Sequence, residues 1–82
     1  MLFLVISDPL PARPDEVKNA RTAFRSWIDR LMDEKKIQTF YPRVGRGAIV
    51  IFDVPSNDEL HTLLTEWSNI VPAHHDVYPL VG

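Results

Sequence analysis

The sequence predicts one α+β domain whose elements follow the order β-α-β-β-α-β. Three observations lead to this order: short apolar runs near the beginning, middle and end of the chain, two stretches with helical spacing between them, and one glycine-rich turn. The chain has 82 residues, of which 45% are hydrophobic and 24% charged, a balance typical of a folded protein with one core. We therefore expect a single domain over residues 1–82.

The first two elements are a strand and a long amphipathic helix. Residues 1–7 form an apolar run that ends in a proline-punctuated loop. From Asp15 onward, apolar residues recur every three or four positions through Leu31, which is the spacing of one helix face. Acidic residues at the start of this stretch and Lys35 and Lys36 at its end suit the two poles of a helix dipole.

The middle of the chain predicts a hairpin. Residues 37–44 alternate bulky and polar side chains, and Pro42 favours an edge strand. The turn Gly45-Arg46-Gly47 follows, and residues 48–54 (AIVIFDV) are then apolar at both odd and even positions. Both faces of this second hairpin strand are therefore expected to be covered.

The last two elements are a helix and a strand. Ser56 with Glu59 three residues later forms a capping box, which opens a helix that loosens at Ser68 and ends before Pro72. Residues 74–81 then predict the final strand.

This order predicts a ferredoxin-like four-stranded antiparallel sheet with two helices on one face. The other face should be polar if water covers it, yet the first and third strands offer apolar side chains to both sides. A second copy is the simplest cover, so we expect a homodimer or a larger symmetric homo-oligomer.

Composition excludes several classes of function. The formal net charge is -2 and the basic residues are scattered among acids, which argues against nucleic-acid binding. There is no cysteine, so disulfides, thiolate metal sites and a cysteine nucleophile are excluded. The apolar run at residues 2–6 is too short for a membrane span. We expect no membrane association and a cytoplasmic location.

Three segments together resemble a known family: MLFLV at the start, residues 44–64 (VGRGAIVIFDVPSNDELHTLL), and VYPLV near the end. They are similar to the muconolactone isomerase family of small dimeric α+β barrels. The run SNDELH is more specific than a capping box, because helix initiation accounts only for its serine and glutamate.

The resemblance implies an isomerase that moves a double bond within a butenolide lactone in bacterial aromatic breakdown, without metal or organic cofactor. It also implies a large symmetric oligomer. Two residues depart from the family: Leu4 stands where the family has histidine, and Gly47 where it usually has tyrosine. Two hypotheses follow: a cofactor-independent isomerase for a small anionic lactone or cyclic ketone, and a non-catalytic, oligomerising small-molecule-binding or accessory protein.

Shifting a lactone double bond requires a base, an acid and a group that stabilises the enolate oxygen. The candidates for the base are His74, His75 and Asp53. The two histidines are adjacent on a strand, so they point to opposite faces and cannot chelate one metal together. Regular alternation places His74, Asp76 and Tyr78 on one face. These three residues could form a proton-transfer cluster, or they could form a surface that contacts solvent or a second copy.

The remaining candidates are a carboxylate and three groups that would bind substrate. Asp53 shares a strand face with two isoleucines, which predicts apolar surroundings, although capping a loop is the alternative. Arg46 in the glycine turn suits a substrate carboxylate, or is an ordinary surface arginine. Tyr41 and Tyr78 are the predicted substrate-binding tyrosines, with Arg43 beside Tyr41 at a pocket mouth or subunit contact. We expect the pocket on the open face of the sheet.

Overall fold

A computed structural model describes all residues, 1–82, and contains the six elements in the predicted order. They are β1 (Leu2–Pro9), α1 (Pro14–Asp33), β2 (Ile37–Pro42), β3 (Ala48–Asp53), α2 (Asn57–Ile70) and β4 (Ala73–Leu80). The strands form one antiparallel sheet in the order β2-β3-β1-β4. The predicted ferredoxin-like arrangement is therefore confirmed. Neither helix is both long and apolar enough to cross a membrane.

Alternation along β1 and β3 divides the sheet into two faces. Phe3 lies opposite Phe52 and Val5 opposite Val50, and all four side chains are buried in the core. The core also contains apolar residues of both helices, so this is the helix side of the sheet. The residues between them on β1 and β3 are only partly buried and form the other face, which we call the open face: Leu2, Leu4, Ile6, Ile49 and Ile51.

The helix ends follow local chemistry. Ser56 Oγ accepts a hydrogen bond from the Glu59 backbone N–H at 3.1 Å, which confirms the predicted start of α2. The Glu59 carboxylate does not complete the capping box, because it pairs with Lys36 Nζ at 3.2 Å. The expected loosening at Ser68 is not found, since α2 continues to Ile70.

β2 ends two residues earlier than predicted. The Arg43 backbone N–H bonds to the Gly47 carbonyl at 2.9 Å, so the turn begins at that residue. Gly47 has φ +102°, and a Cβ there would lie 2.3 Å from the Ser7 carbonyl oxygen. Only glycine fits this backbone and this close approach. The tyrosine that the family usually carries therefore has no place on this turn.

Aromatic rings join the two helices above the sheet. The ring centroids of Trp27 and Trp67 lie 5.8 Å apart, and each lies within 6.5 Å of Phe52. Glu66 Oε1 accepts hydrogen bonds from Trp27 Nε1 at 3.0 Å and from Arg30 at 3.1 Å. Both tryptophans are thus core residues, as predicted, and the carboxylate ties α2 to the second half of α1.

Candidate functional site

A cleft of about 610 Å³ lies on the helix side of the sheet. Its walls are the first half of α1, the end of β2, the β2–β3 turn and the end of α2. The buried residues of α1 all lie in its second half, at Trp27, Ile28 and Leu31. Beneath the first half the sheet offers small residues, among them Ser7 and Ala48. The space therefore opens where a long helix passes over small side chains.

One side of the cleft is aromatic. Phe24 of α1 lies between Phe40 and Trp67, with ring centroids 6.0 and 5.3 Å away. All three rings line the cleft. Flat apolar surfaces of this kind suit a small ring compound, since pockets for small molecules are mostly apolar with few polar groups.

The polar side of the cleft is cationic. Four arginines line it: Arg21, Arg25, Arg43 and Arg46. No aspartate, glutamate or histidine side chain is part of the lining. The cleft therefore favours an anionic ligand, because guanidinium groups bind carboxylates with paired hydrogen bonds.

Each of these arginines has its own surroundings. Arg43 donates to the Ser7 carbonyl at 3.0 Å and pairs with the Asp8 carboxylate. Arg25 lies 3.4 Å from Asp29 and 5.6 Å above the Phe40 ring. Arg46 donates to the Leu10 carbonyl at 3.1 Å, and Arg21 has no ion-pair or hydrogen-bond partner in the chain. The last two thus keep donors for a ligand.

His75 lies on the helix side, immediately behind the cleft wall. It pairs with Ser7 across the β1–β4 ladder, and its ring centroid lies 4.7 Å from that of Trp67, with the two rings tilted by 51°. Both of those residues line the cleft, while His75 itself does not. Its Nε2 atom is buried and has no hydrogen-bond partner in the chain. An unpartnered buried ring nitrogen is free to exchange a proton with a ligand that reaches it.

Burial lowers the pKa of His75 below its ordinary 6.5, and the neighbouring His74 lowers it further. The imidazole is therefore neutral at pH 7 and able to accept a proton.

The other predicted histidine lies on the opposite face. His74 Nε2 is 3.1 Å from Asp76 Oδ1, and this exposed pair shares the open face with Tyr78, which is 50% exposed. The predicted alternation of β4 is confirmed. The same alternation separates these three residues from the cleft.

The surroundings predicted for Asp53 are wrong. Its side chain is 55% exposed and lies 3.5 Å from the N-terminal ammonium group, at the end of β3. Asp53 pairs with Leu2, whereas His74 and His75 pair with Asp8 and Ser7. At about 3.3 Å per residue along β1, roughly 17 to 20 Å separate the carboxylate from either histidine. Within one chain it therefore lies outside any reaction centre that contains either histidine.

The predicted substrate-binding residues are also divided. Arg46 lines the cleft. Tyr41 is 64% exposed and pairs with Ile49 on the open face, three strands away from Tyr78. The open face itself is centred on leucine and isoleucine side chains, and the cleft lies on the other side of the sheet. The cleft of the single chain therefore lies on the helix side, whereas the sequence predicted a pocket on the open face.

Sequence reasoning missed the contribution of α1. Arg21 and Arg25 lie four residues apart, flanking the apolar positions Val17, Ala20 and Phe24. The two arginines beside the apolar stripe of one helix are the sequence pattern that could have predicted a cationic site on α1.

No group of three or more His, Asp or Glu side chains is arranged to hold a metal ion.

Fold and cleft together define the class: a small ferredoxin-like α+β protein with a cationic, aromatic cleft between its sheet and first helix. No family model matches the chain. The muconolactone Delta-isomerase of Cupriavidus pinatubonensis (strain JMP 134 / LMG 1197) is 43% identical to it over 72 residues, covering 79% of this chain and 75% of the relative. The chain belongs to the muconolactone isomerase family.

Solved structures agree with this assignment. A crystal structure of muconolactone isomerase superposes with a TM-score of 0.82 at 25% identity, covering 98% of this chain and 88% of that one. A 5-chloro-2-hydroxyhydroquinone dehydrochlorinase from Burkholderia phenoliruptrix, in complex with 2,5-dihydroxybenzoquinone, shares the fold. Its TM-score is 0.74 at 21% identity, over 99% of this chain and 94% of that one.

The lowered pKa of His75 predicts a pH-dependent stability. The folded state binds a proton at His75 less readily than the unfolded state. The contribution of neutral His75 to the free energy of unfolding is therefore fully present above pH 6.5 and is lost as the pH falls through and below that value. Urea unfolding at pH 7.5 and at about pH 5.5 should show a smaller loss on acidification for His75→Gln than for the wild type. His74→Gln is the matched control and should keep most of the loss. An equal loss in the wild type and His75→Gln would contradict the assignment.

Proposed function

We propose that this protein is a cofactor-independent isomerase that shifts a double bond by proton transfer in a small anionic lactone or cyclic ketone. The observation that carries the proposal is the cleft, in which aromatic rings and arginines surround a space of small-molecule size. The 43% identical relative is named for an isomerisation of this kind.

In this proposal the substrate carboxylate binds an arginine and its ring lies against Phe24 and Phe40. Arg46 and Arg21 are the suitable groups, because neither is paired with a carboxylate of the chain. A second guanidinium beside the ring carbonyl would stabilise the negative oxygen that forms when a neighbouring carbon loses its proton.

His75 is the proposed base. It is the member of the predicted set that contacts the cleft wall, through Ser7 and Trp67, and it is neutral at pH 7. Its ring would take a proton from the γ carbon of a butenolide, giving an enolate and an imidazolium. The imidazolium would return that proton at the α carbon, so the double bond moves and the base is regenerated.

The alternative is a non-catalytic binding or accessory protein of the same fold. Leu4 and Gly47 replace the family's histidine and tyrosine. Leu4 lies on the open face beside Ile51, so a histidine there would be remote from the cleft of the same chain. The missing histidine therefore removes no group from the cleft, whereas Gly47 lies in the cleft wall.

The proposal includes self-association through the open face. Leu4 and Ile51 are cross-strand partners at its centre, and β4 adds the exposed side chains of Tyr78 and Leu80. An apolar surface of this extent favours a partner, and a second copy supplies a matching surface. A place in aromatic breakdown, implied by the family, and a cytoplasmic location complete the proposal.

Catalysis is tested with muconolactone by proton NMR, which follows the shift of the double bond. We expect turnover by the wild type and a loss of about 100-fold or more in kcat for His75→Ala, the usual size of general-base catalysis. His74→Ala, on the other face, is the matched control and should stay within about twofold of the wild type. Full activity of His75→Ala would reject the base, and an inactive wild type would favour the binding protein.

Self-association is tested by sedimentation equilibrium. The wild type should sediment at twice the chain mass of 9.4 kDa or a higher multiple, whereas Leu4→Asp should sediment as a monomer, because a carboxylate buried in an apolar interface is unpaired. Thr22→Asp, on the exposed side of α1, is the control and should remain associated. A monomeric wild type, or a folded Leu4→Asp that stays associated, would contradict the proposal.

A further inference from the structure

The charges of the cleft do not balance within the chain. Of its arginines, Arg25 is compensated by Asp29 and Arg43 by Asp8. Arg21 has no partner, and Arg46 donates only to the backbone carbonyl of Leu10. With no acidic side chain in the lining, two guanidinium charges remain for a ligand to neutralise.

These two arginines approach the cleft from different walls. Arg21 extends from the first half of α1, which lies above the sheet. Arg46 is at the tip of the β2–β3 turn, which is closed by the hydrogen bond between Arg43 N and Gly47 O, and its contact with Leu10 fixes its position further. A single carboxylate needs only one guanidinium fork, so two separate forks suit two anionic groups.

The surface that accompanies the two charges is aromatic. Phe24, Phe40 and Trp67 line the same cleft, and Phe24 contacts both of the other rings. This surface suits a flat ring and offers little to a flexible chain, whose ordering would cost conformational entropy.

We infer that the cleft selects a flat ring carrying two anionic groups, one bound by Arg21 and the other by Arg46. The inference rests on the proposed function in that it concerns the same cleft. Among anionic ring compounds it favours those with two anionic groups, such as a ring with two carboxylates or with a carboxylate and an ionised hydroxyl group, over muconolactone, which carries one carboxylate.

The test is a calorimetric titration with benzene-1,3-dicarboxylate and with benzoate, which share a ring and differ by one anionic group. The dicarboxylate should bind about tenfold more tightly than benzoate, as one added charge-assisted contact allows. This advantage should shrink when salt is raised from about 0.02 to 0.2 M, because both arginines are exposed.

Variants assign the two contacts. Arg21→Gln and Arg46→Gln should each lower the affinity for the dicarboxylate by about tenfold, to near that of benzoate. Arg13→Gln is the matched control: it removes a guanidinium outside the cleft, paired with Asp15, and should leave both affinities unchanged. Urea unfolding checks that each variant is folded.

Equal affinity for the two probes, or an unchanged dicarboxylate affinity in folded Arg21→Gln, would overturn the inference. If either of these results is found and the wild type turns over muconolactone, the proposed function stands and only the inference about two anionic groups fails. Selective dicarboxylate binding that both arginine variants abolish, in a protein with no isomerase activity, would support the inference and reject the proposed reaction.

Discussion

The central position of β1 in the sheet is the constraint on which the rest of the structure depends. β1 pairs with β3 on one side and β4 on the other, so its alternation fixes which residues of both neighbours share a face. Phe3, Val5 and His75 face the helices. Leu4, Ile6, Tyr78 and Asp76 lie on the open face. A shift of one residue would exchange the core with the open face.

The cleft is a consequence of how α1 lies on that sheet. Glu66 binds Trp27 and Arg30 and holds the second half of α1 against α2. The first half continues beyond this contact, over Ser7 and the β2–β3 turn, where small residues leave space. Gly47 permits the turn to approach Ser7 closely. Gly47, which stands where the family usually has tyrosine, is therefore part of the wall of the candidate site.

Most of the fold follows from local sequence patterns. Apolar spacing, the Ser56 cap and the glycine turn are read over a few residues, so they predict the order of elements and the alternation of β4. The site does not follow in the same way, because it depends on contacts between distant segments. Arg21 and Arg46 meet in one cleft only after α1 is placed over the hairpin. Asp53 was assigned apolar surroundings from its strand neighbours, but the strand ends beside the exposed N-terminus.

The central claim is that the ligand site lies between α1 and the sheet. Backbone amide shifts in a two-dimensional NMR titration with muconolactone test this claim most directly. A ligand in the cleft should give the largest shifts at Phe24, Gly47, Ala48 and His75. Largest shifts at Leu4, Ile51 and Tyr78 would place the ligand on the open face and contradict the account.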